Sequence, residues 1–162
     1  MVTLKEEIEQ QRPFSSLEEE AMLNLMRSED CLSRAFARMA KQWGVTATQY
    51  NVLRILRGAG PEGLTCSAIG GRMITAEPDI TRLLGRLKTR KLARQQRDRK
   101  DRRVVWTEIT AEGLKLLEEM DPAVRALPRE LLGHLSQEKL QLLIDLLERA
   151  RSRCGETKPS HE

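Results

Sequence analysis

Leu92-Ala93-Arg94-Gln95-Gln96-Arg97 and Val104-Val105-Trp106-Thr107-Glu108-Ile109 flank a hydrophilic run, Asp98-Arg99-Lys100-Asp101-Arg102-Arg103. β-formers on either side of a polar, charged tip predict a β-hairpin with a long basic loop. Just upstream, Pro78 suits the first turn of a helix. Asp79 suits that helix's positive N-terminal end. Ile80, Leu83, Leu84 and Leu87 then recur on one face, predicting a helix over Glu77 to Lys91. Thr81, Arg82, Gly85, Arg86, Lys88 and Thr89 fall outside that face. Further back, Leu64-Thr65 opens a short helix with Thr65 as N-cap, running to about Arg72, and Met73 to Glu77 reads as a turn. Thr46-Ala47-Thr48-Gln49 is a capping box ahead of Tyr50, Val52, Leu53, Ile55 and Leu56. Gly58 to Gly63 breaks that helix.

The two ends of the chain read as long helices. Ser15-Ser16-Leu17-Glu18-Glu19 holds two overlapping capping boxes. Leu25, Leu32, Phe36, Met39 and Trp43 come next on one apolar face, which Gly44 ends. Thr110 is an N-cap candidate for a helix carrying Leu114, Leu117 and Met120. Pro122 and Pro128 are expected to interrupt or kink the chain beyond that helix. Ser136 precedes a final apolar helix with Leu140, Leu143, Leu146 and Leu147. Cys154 to Glu162 is a polar tail, expected to fray.

With 162 residues, one domain with helical extensions is expected. Aromatic residues make up 3%, low for an all-β sandwich. No apolar run approaches the roughly 20 residues of a membrane span. Met1 to Arg12 is acidic and lacks a signal peptide's apolar stretch. Cys31, Cys66 and Cys154 lie far apart and are odd in number, which argues against a disulfide framework and for a cytoplasmic location. Gly58-x-Gly60-x-x-Gly63 matches a dinucleotide fingerprint, but it comes after a helix and contains Pro61, so it is rejected. His134 and His161 have no metal-ligand spacing beyond a loose Cys154…His161. No catalytic motif is present, and neither an enzyme activity nor a cofactor is expected.

The net charge of +4 conceals a split. Arg72 to Arg103 holds twelve Lys and Arg against four Asp and Glu, a net of +8 that leaves −4 for the rest. Such a stretch is the footprint of a polyanion binder, or else a solvated helix face.

The order helix, helix, helix, basic hairpin from Thr46 to Thr110 describes a winged helix-turn-helix: a mainly α fold with a small β-hairpin. Its helix at Glu77 to Lys91 would enter the major groove, with the hairpin, or wing, alongside. The chain then divides into an N-terminal extension and helix (1–44), the winged lobe (45–110), C-terminal helices (111–153) and the tail (154–162). The residues themselves resemble the multiple-antibiotic-resistance regulator (MarR) family. The resemblance is carried by Thr46-x-x-Gln49-Tyr50-x-Val52-Leu53, Leu64-Thr65, Ile80-Thr81-Arg82-Leu83-Leu84-x-x-Leu87 and Leu135-Ser136-x-Glu138-x-Leu140. Its most telling run is Asp98-x-x-Asp101-x-Arg103-x-x-x-x-x-Ile109-Thr110-x-x-Gly113. The resemblance spans about Leu17 to Arg151. It implies a homodimer, interlocked through its end helices. It also implies binding to pseudo-palindromic operators, usually as a repressor, and release by a small aromatic or phenolic acid or by cysteine oxidation.

On that reading the double-stranded DNA contacts fall on Thr65, Ser67, Thr81, Arg82, Arg86, Arg99, Lys100, Asp101, Arg102 and Arg103. Arg reads guanine bidentately and enters a narrow minor groove; Thr meets a thymine methyl or a phosphate. Asp101 pairing Arg103 would hold the wing against the recognition helix. Thr65 and Ser67 have a second reading as N-caps, and Arg82 has one as a partner of the wing. Asp79 departs from the family's small polar residues at the helix start and reads as a dipole partner. Phe36, Met39 and Trp43 lie where ligand pockets form in the family, or else in the core. Dimer contacts are expected at Leu25, Leu32, Leu132, Leu135, Leu140, Leu143, Leu146 and Leu147. Cys31 is displaced from the family's peroxide-sensing position. It reads as a small buried hydrophobe, with thiol-based sensing as the alternative. A protein-interaction module with an acidic partner is the remaining alternative, and the basic helix and hairpin argue against it.

Overall fold

The computed structural model describes residues 2–154. They divide into two compact units, which meet in the sequence at Asp121 and Pro122. The first opens with a single turn, α1 (Leu4–Glu7), closed by a Thr3–Glu6 capping box. The acidic composition of this stretch did not signal that turn. Its anchor is Leu4, which is buried, while Glu7 pairs with Arg27 at 3.2 Å. The long helix α2 (Leu17–Lys41) starts where expected, with Ser16 as N-cap. The Ser16 hydroxyl accepts the Glu19 N–H at 3.1 Å, and the Glu19 carboxylate reaches back to Ser15. Gly44, at φ +67°, ends the turn after it in a conformation that costs glycine little.

α3 (Ala47–Ala59) carries the complete Thr46–Gln49 capping box and the densest core of the chain. Val52, Leu53 and Leu56 are fully buried, as are Ile69, Leu87, Leu117 and Met120 from other elements. Leu64–Thr65 does not begin a helix. It forms β1, and α4 spans only Cys66–Gly70, with Thr65 as its N-cap. The reason is tertiary: β1 pairs antiparallel with β3 (Val105–Ile109), Leu64 opposite Thr107 and Thr65 opposite Trp106. Gly63 makes that approach possible, since a Cβ there would lie 2.6 Å from the Thr107 carbonyl oxygen. β2 (Ala93–Arg97) completes the sheet in the order β1-β3-β2. Across β2 and β3, Arg94 faces Glu108 and pairs with it at 2.6 Å.

α5 spans Ile80–Thr89, shorter at both ends than Glu77 to Lys91. Asp79 is its N-cap, so Pro78 precedes the helix instead of sitting in its first turn. Leu83, Leu84 and Leu87 are buried and Ile80 is half-buried, as their spacing required. Lys91 turns the chain out of the helix at φ 59°. Thr110 caps α6 (Ala111–Leu132) by accepting the Gly113 N–H at 3.1 Å, while its hydroxyl donates to the Lys91 carbonyl at 2.6 Å. A Cβ on Gly113 would collide with the Leu92 carbonyl. Thr110-x-x-Gly113 is therefore a cap plus a close approach of backbone to backbone.

α6 is not interrupted at Pro122 or Pro128. Each proline removes one backbone donor, and the helix retains its bonds on either side. Within the first unit, Arg57 of α3 grips the Asp121 carboxylate at 3.0 Å and 3.2 Å. The second unit holds the rest of α6 and α7 (Gln137–Cys154), and no residue of α7 is buried. Ser136 caps α7 through a 3.4 Å bond from the Lys139 N–H. Residues 155–162, including His161 and most of the polar tail, lie outside the described residues.

Candidate nucleic-acid interface

The expected contact residues come together on the winged lobe in three groups. Thr65, Ser67, Thr81 and Arg103 line one groove, of about 830 Å³, between the helix-turn-helix and the wing. Arg82 and Arg86 face a second, more open depression of about 580 Å³ with Arg90. Arg99, Lys100 and Arg102 stand exposed at the wing tip. Lobe and wing therefore present cations along α5 and beyond it, as a phosphate-lined duplex requires.

Local chemistry fixes each piece. Asp79 Oδ1 accepts the Arg82 N–H at 2.9 Å, so the acid at the front of α5 is spent on its own helix, as a dipole partner is. The Arg82 side chain is exposed and forms no ion pair among the described residues, so the structure contains no brace from Arg82 to the wing. Thr65 Oγ1 accepts the Ala68 N–H at 3.3 Å and lies 3.2 Å from Ser67 Oγ, which is the N-capping arrangement. Arg90, absent from the expected contacts, donates from Nη1 to the Gly44 carbonyl at 2.7 Å. It ties the end of α5 to the loop between α2 and α3 across 46 positions of sequence. No local spacing signals such a bond.

Asp101 and Arg103 do pair, but within the wing. Asp101 Oδ1 accepts the Arg103 N–H at 3.0 Å, and the guanidinium Nε lies 3.7 Å from the same oxygen. The pair closes the tip on itself; among the described residues no hydrogen bond joins either side chain to α5. Next to it, the backbone N–H groups of Asp101 and Lys100 and the Trp106 indole hold the Asp98 carboxyl below its ordinary range.

The expected ligand residues separate. Phe36 is half-buried and stacks at a 54° tilt against Tyr50, with ring centroids 5.1 Å apart. Both line a cavity of about 370 Å³ together with Ser33, Asn51, Arg54 and Ile74. Met39 is buried in the core, and neither it nor Trp43 lines that cavity. Tyr50, Asn51 and Arg54 were missed as lining residues. The available signal was a polar pair, Asn51 and Arg54, interrupting an apolar helix. Burial raises the Tyr50 phenol above its ordinary range.

None of the expected dimer residues is fully buried in the single chain. Leu25, Leu32 and Leu146 are exposed, while Leu132, Leu135, Leu140, Leu143 and Leu147 are half-buried. Leu17, Met22, Met26, Leu142 and Ile144 are further exposed apolar side chains, outside the expected set. Cys31 is exposed, so its reading as a small buried hydrophobe fails. It lies one turn before Ala35 on the same stripe, where the core no longer covers the helix. Cys66 is half-buried, with Sγ 3.9 Å from Thr81 Oγ1. No described helix is long and apolar enough to cross a membrane.

Known proteins carry the same pattern. The MarR family model matches residues 43–104, which run from just after α2 to the end of the wing tip, short of β3. The transcriptional regulator HosA of Escherichia coli O157:H7 is 30% identical over 123 residues, covering 72% of this chain and 88% of HosA. The crystal structure of a MarR transcription factor from Planctomyces limnophilus is 41% identical, with a TM-score of 0.66, covering 84% of this chain and 98% of that one. BpsR of Bordetella bronchiseptica, whose DNA binding is regulated by 6-hydroxynicotinic acid, is 26% identical with a TM-score of 0.73, over 82% of this chain and 99% of its own. The chain belongs to the MarR family and is a DNA-binding transcriptional regulator.

Proposed function

We propose that the chain acts as a homodimeric repressor, with α5 in the major groove and the wing in the adjacent minor groove of a pseudo-palindromic operator. One observation carries this reading. Arg82, Arg86, Arg99, Lys100, Arg102 and Arg103 are all exposed on the winged lobe, and among the described residues only Arg103 of the six has an acidic partner. Thr65, Ser67, Thr81 and Asp101 accompany them, the acid as the organiser of Arg103. Two copies related by a two-fold axis would address half-sites about 10 bp apart. The exposed leucines of α2 and α7 supply the apolar surface for that pairing. A C-terminal dimerisation segment (111–153) and an N-terminal one (1–44) flanking the winged lobe (45–110) belong to the same reading.

The signal we infer is a small aromatic acid. The cavity beside Phe36 and Tyr50 is of ligand size, at the small end of the usual 300–1,000 Å³. Two aromatic rings suit a planar ring, and Arg54 suits a carboxylate. The regulation of BpsR by 6-hydroxynicotinic acid supports the same class of compound.

Fluorescence anisotropy with a duplex from upstream of the chain's own gene tests the function. Log affinity should fall linearly with log salt, with a slope of about −0.9 per phosphate contacted. Arg103→Ala should flatten that slope by about one such contact without loss of fold. An unchanged slope in that variant would remove the wing from the interface. Hydroxylated aromatic acids added to the complex should release the duplex from the native protein and not from Arg54→Ala.

A further inference from the structure

The wing tip is organised around one carboxylate and one indole. Asp98 follows the last residue of β2. Its Oδ1 accepts the backbone N–H groups of Lys100 at 2.7 Å and Asp101 at 2.9 Å, which folds the tip into an Asx turn. Its Oδ2 accepts the indole N–H of Trp106 at 3.2 Å. Its own N–H donates to the Val104 carbonyl at 2.9 Å, closing the base of the loop. Trp106 sits on the central strand of the sheet, opposite Gln96 on β2 and Thr65 on β1. One side chain therefore joins the tip of the hairpin to its best-anchored strand.

Strand pairing does not need this bond. β2 and β3 pair through their backbones from Ala93 and Ile109 to Arg97 and Val105. Nor does packing need it, since any large apolar side chain at 106 would cover the same sheet. The indole N–H is a donor only, and here its acceptor is an acid among exposed arginines. Three donors spread the charge of that acid at a surface where a bare carboxylate would repel phosphate.

We propose that Asp98 and Trp106 are positioning residues that lock the wing into one conformation before DNA arrives, so that Arg99, Lys100, Arg102 and Arg103 meet the groove already aimed. This rests on the reading that the wing touches DNA. Pre-ordering lowers the entropy lost on binding, and it holds the tip cations within reach of the phosphates they meet, so its loss costs contacts as well as affinity.

The test uses the full chain and the same duplex, with affinity measured across a salt series. Trp106→Phe retains an aromatic ring and loses the N–H, with no change in charge. It should weaken binding by roughly tenfold, the value of one hydrogen bond to a charged group. It should also flatten the salt slope, with the thermal midpoint lowered by only about 2–4 °C for each kcal/mol lost. A variant that merely loosens the fold would move the midpoint and leave the slope. Asp98→Asn gives a contrast of sign. Removing a negative charge beside DNA should tighten binding if charge alone matters, whereas the lock requires that it weaken. Arg102→Ala and Arg103→Ala are the controls. If they flatten the slope while Trp106→Phe does not and Asp98→Asn tightens binding, the lock is overturned and the wing reading stands. If the arginine variants also leave the slope unchanged, the wing reading falls and the lock falls with it.

Discussion

α3 and α7 are both capped, leucine-bearing helices, yet they end in opposite environments. In α3, Leu53 is fully buried, and seven of the thirteen residues are buried. In α7, none of the eighteen is, and Leu142 and Leu146 remain 58% and 53% exposed. The first unit, which adds α2 and the start of α6 to the winged lobe, completes its core within one chain. The end helix carries apolar surface that one chain does not cover, and water makes each such leucine a cost of about 1.5–3 kcal/mol waiting for a partner surface. The first helix is covered by its own lobe; the second leaves apolar surface that, in the homodimer we propose, a second copy would cover.

Three sets of substitutions break or sharpen this contrast. Leu53→Ala opens a cavity in a core that has nowhere to collapse, and should lower stability by about 2–5 kcal/mol in urea unfolding. A cost near zero would mean the lobe's core is not the seat of its stability. Leu142→Asp combined with Leu146→Asp should cost about 1.5–3 kcal/mol per side chain in subunit association. Sedimentation should then give the mass of one chain, with the lobe still folded. Retention of the dimer mass would show that this face is not the one covered. Smallest is a pair of caps. Thr46→Ala removes the 3.1 Å bond to the Gln49 N–H and should cost about 1 kcal/mol. Ser136→Ala removes a 3.4 Å bond on an exposed helix and should cost about 0.5 kcal/mol. Equal costs would erase the distinction between a helix buried in its lobe and one with no buried residue.

Much of the candidate interface was legible because its signals are local. Capping pairs, the glycine exits and the leucine spacing of α5 act within three or four residues, so their chemistry can be read in order along the chain. The +8 stretch marked the wing and α5 by composition alone. What escaped depended on distance. Arg90 reaches Gly44 and Arg57 reaches Asp121, each across more than 40 positions. Phe36 belonged to a cavity and Met39 to the core, although both lie on one helical stripe, because Tyr50 and Asn51 of the next helix decide which side is open. Within the wing, Asp101 and Arg103 pair with each other, and the pair closes the tip instead of bracing it against α5.

The amino-acid sequence by itself determined the helix starts, the basic hairpin and the family, since each rests on hydrogen bonds, turns or periodicity spanning a few residues. Tertiary structure alone decided three things. It made Leu64–Thr65 a strand, because β3 offered that segment an open edge. It tied Arg90 to the Gly44 carbonyl, because folding brings the end of α5 against the loop between α2 and α3. It set the Trp106 indole against Asp98, because only the register of β2 on β3 brings position 106 beside the tip. In each case the deciding partner is distant in sequence or set by strand register, and its contribution exists only once the chain has closed around it.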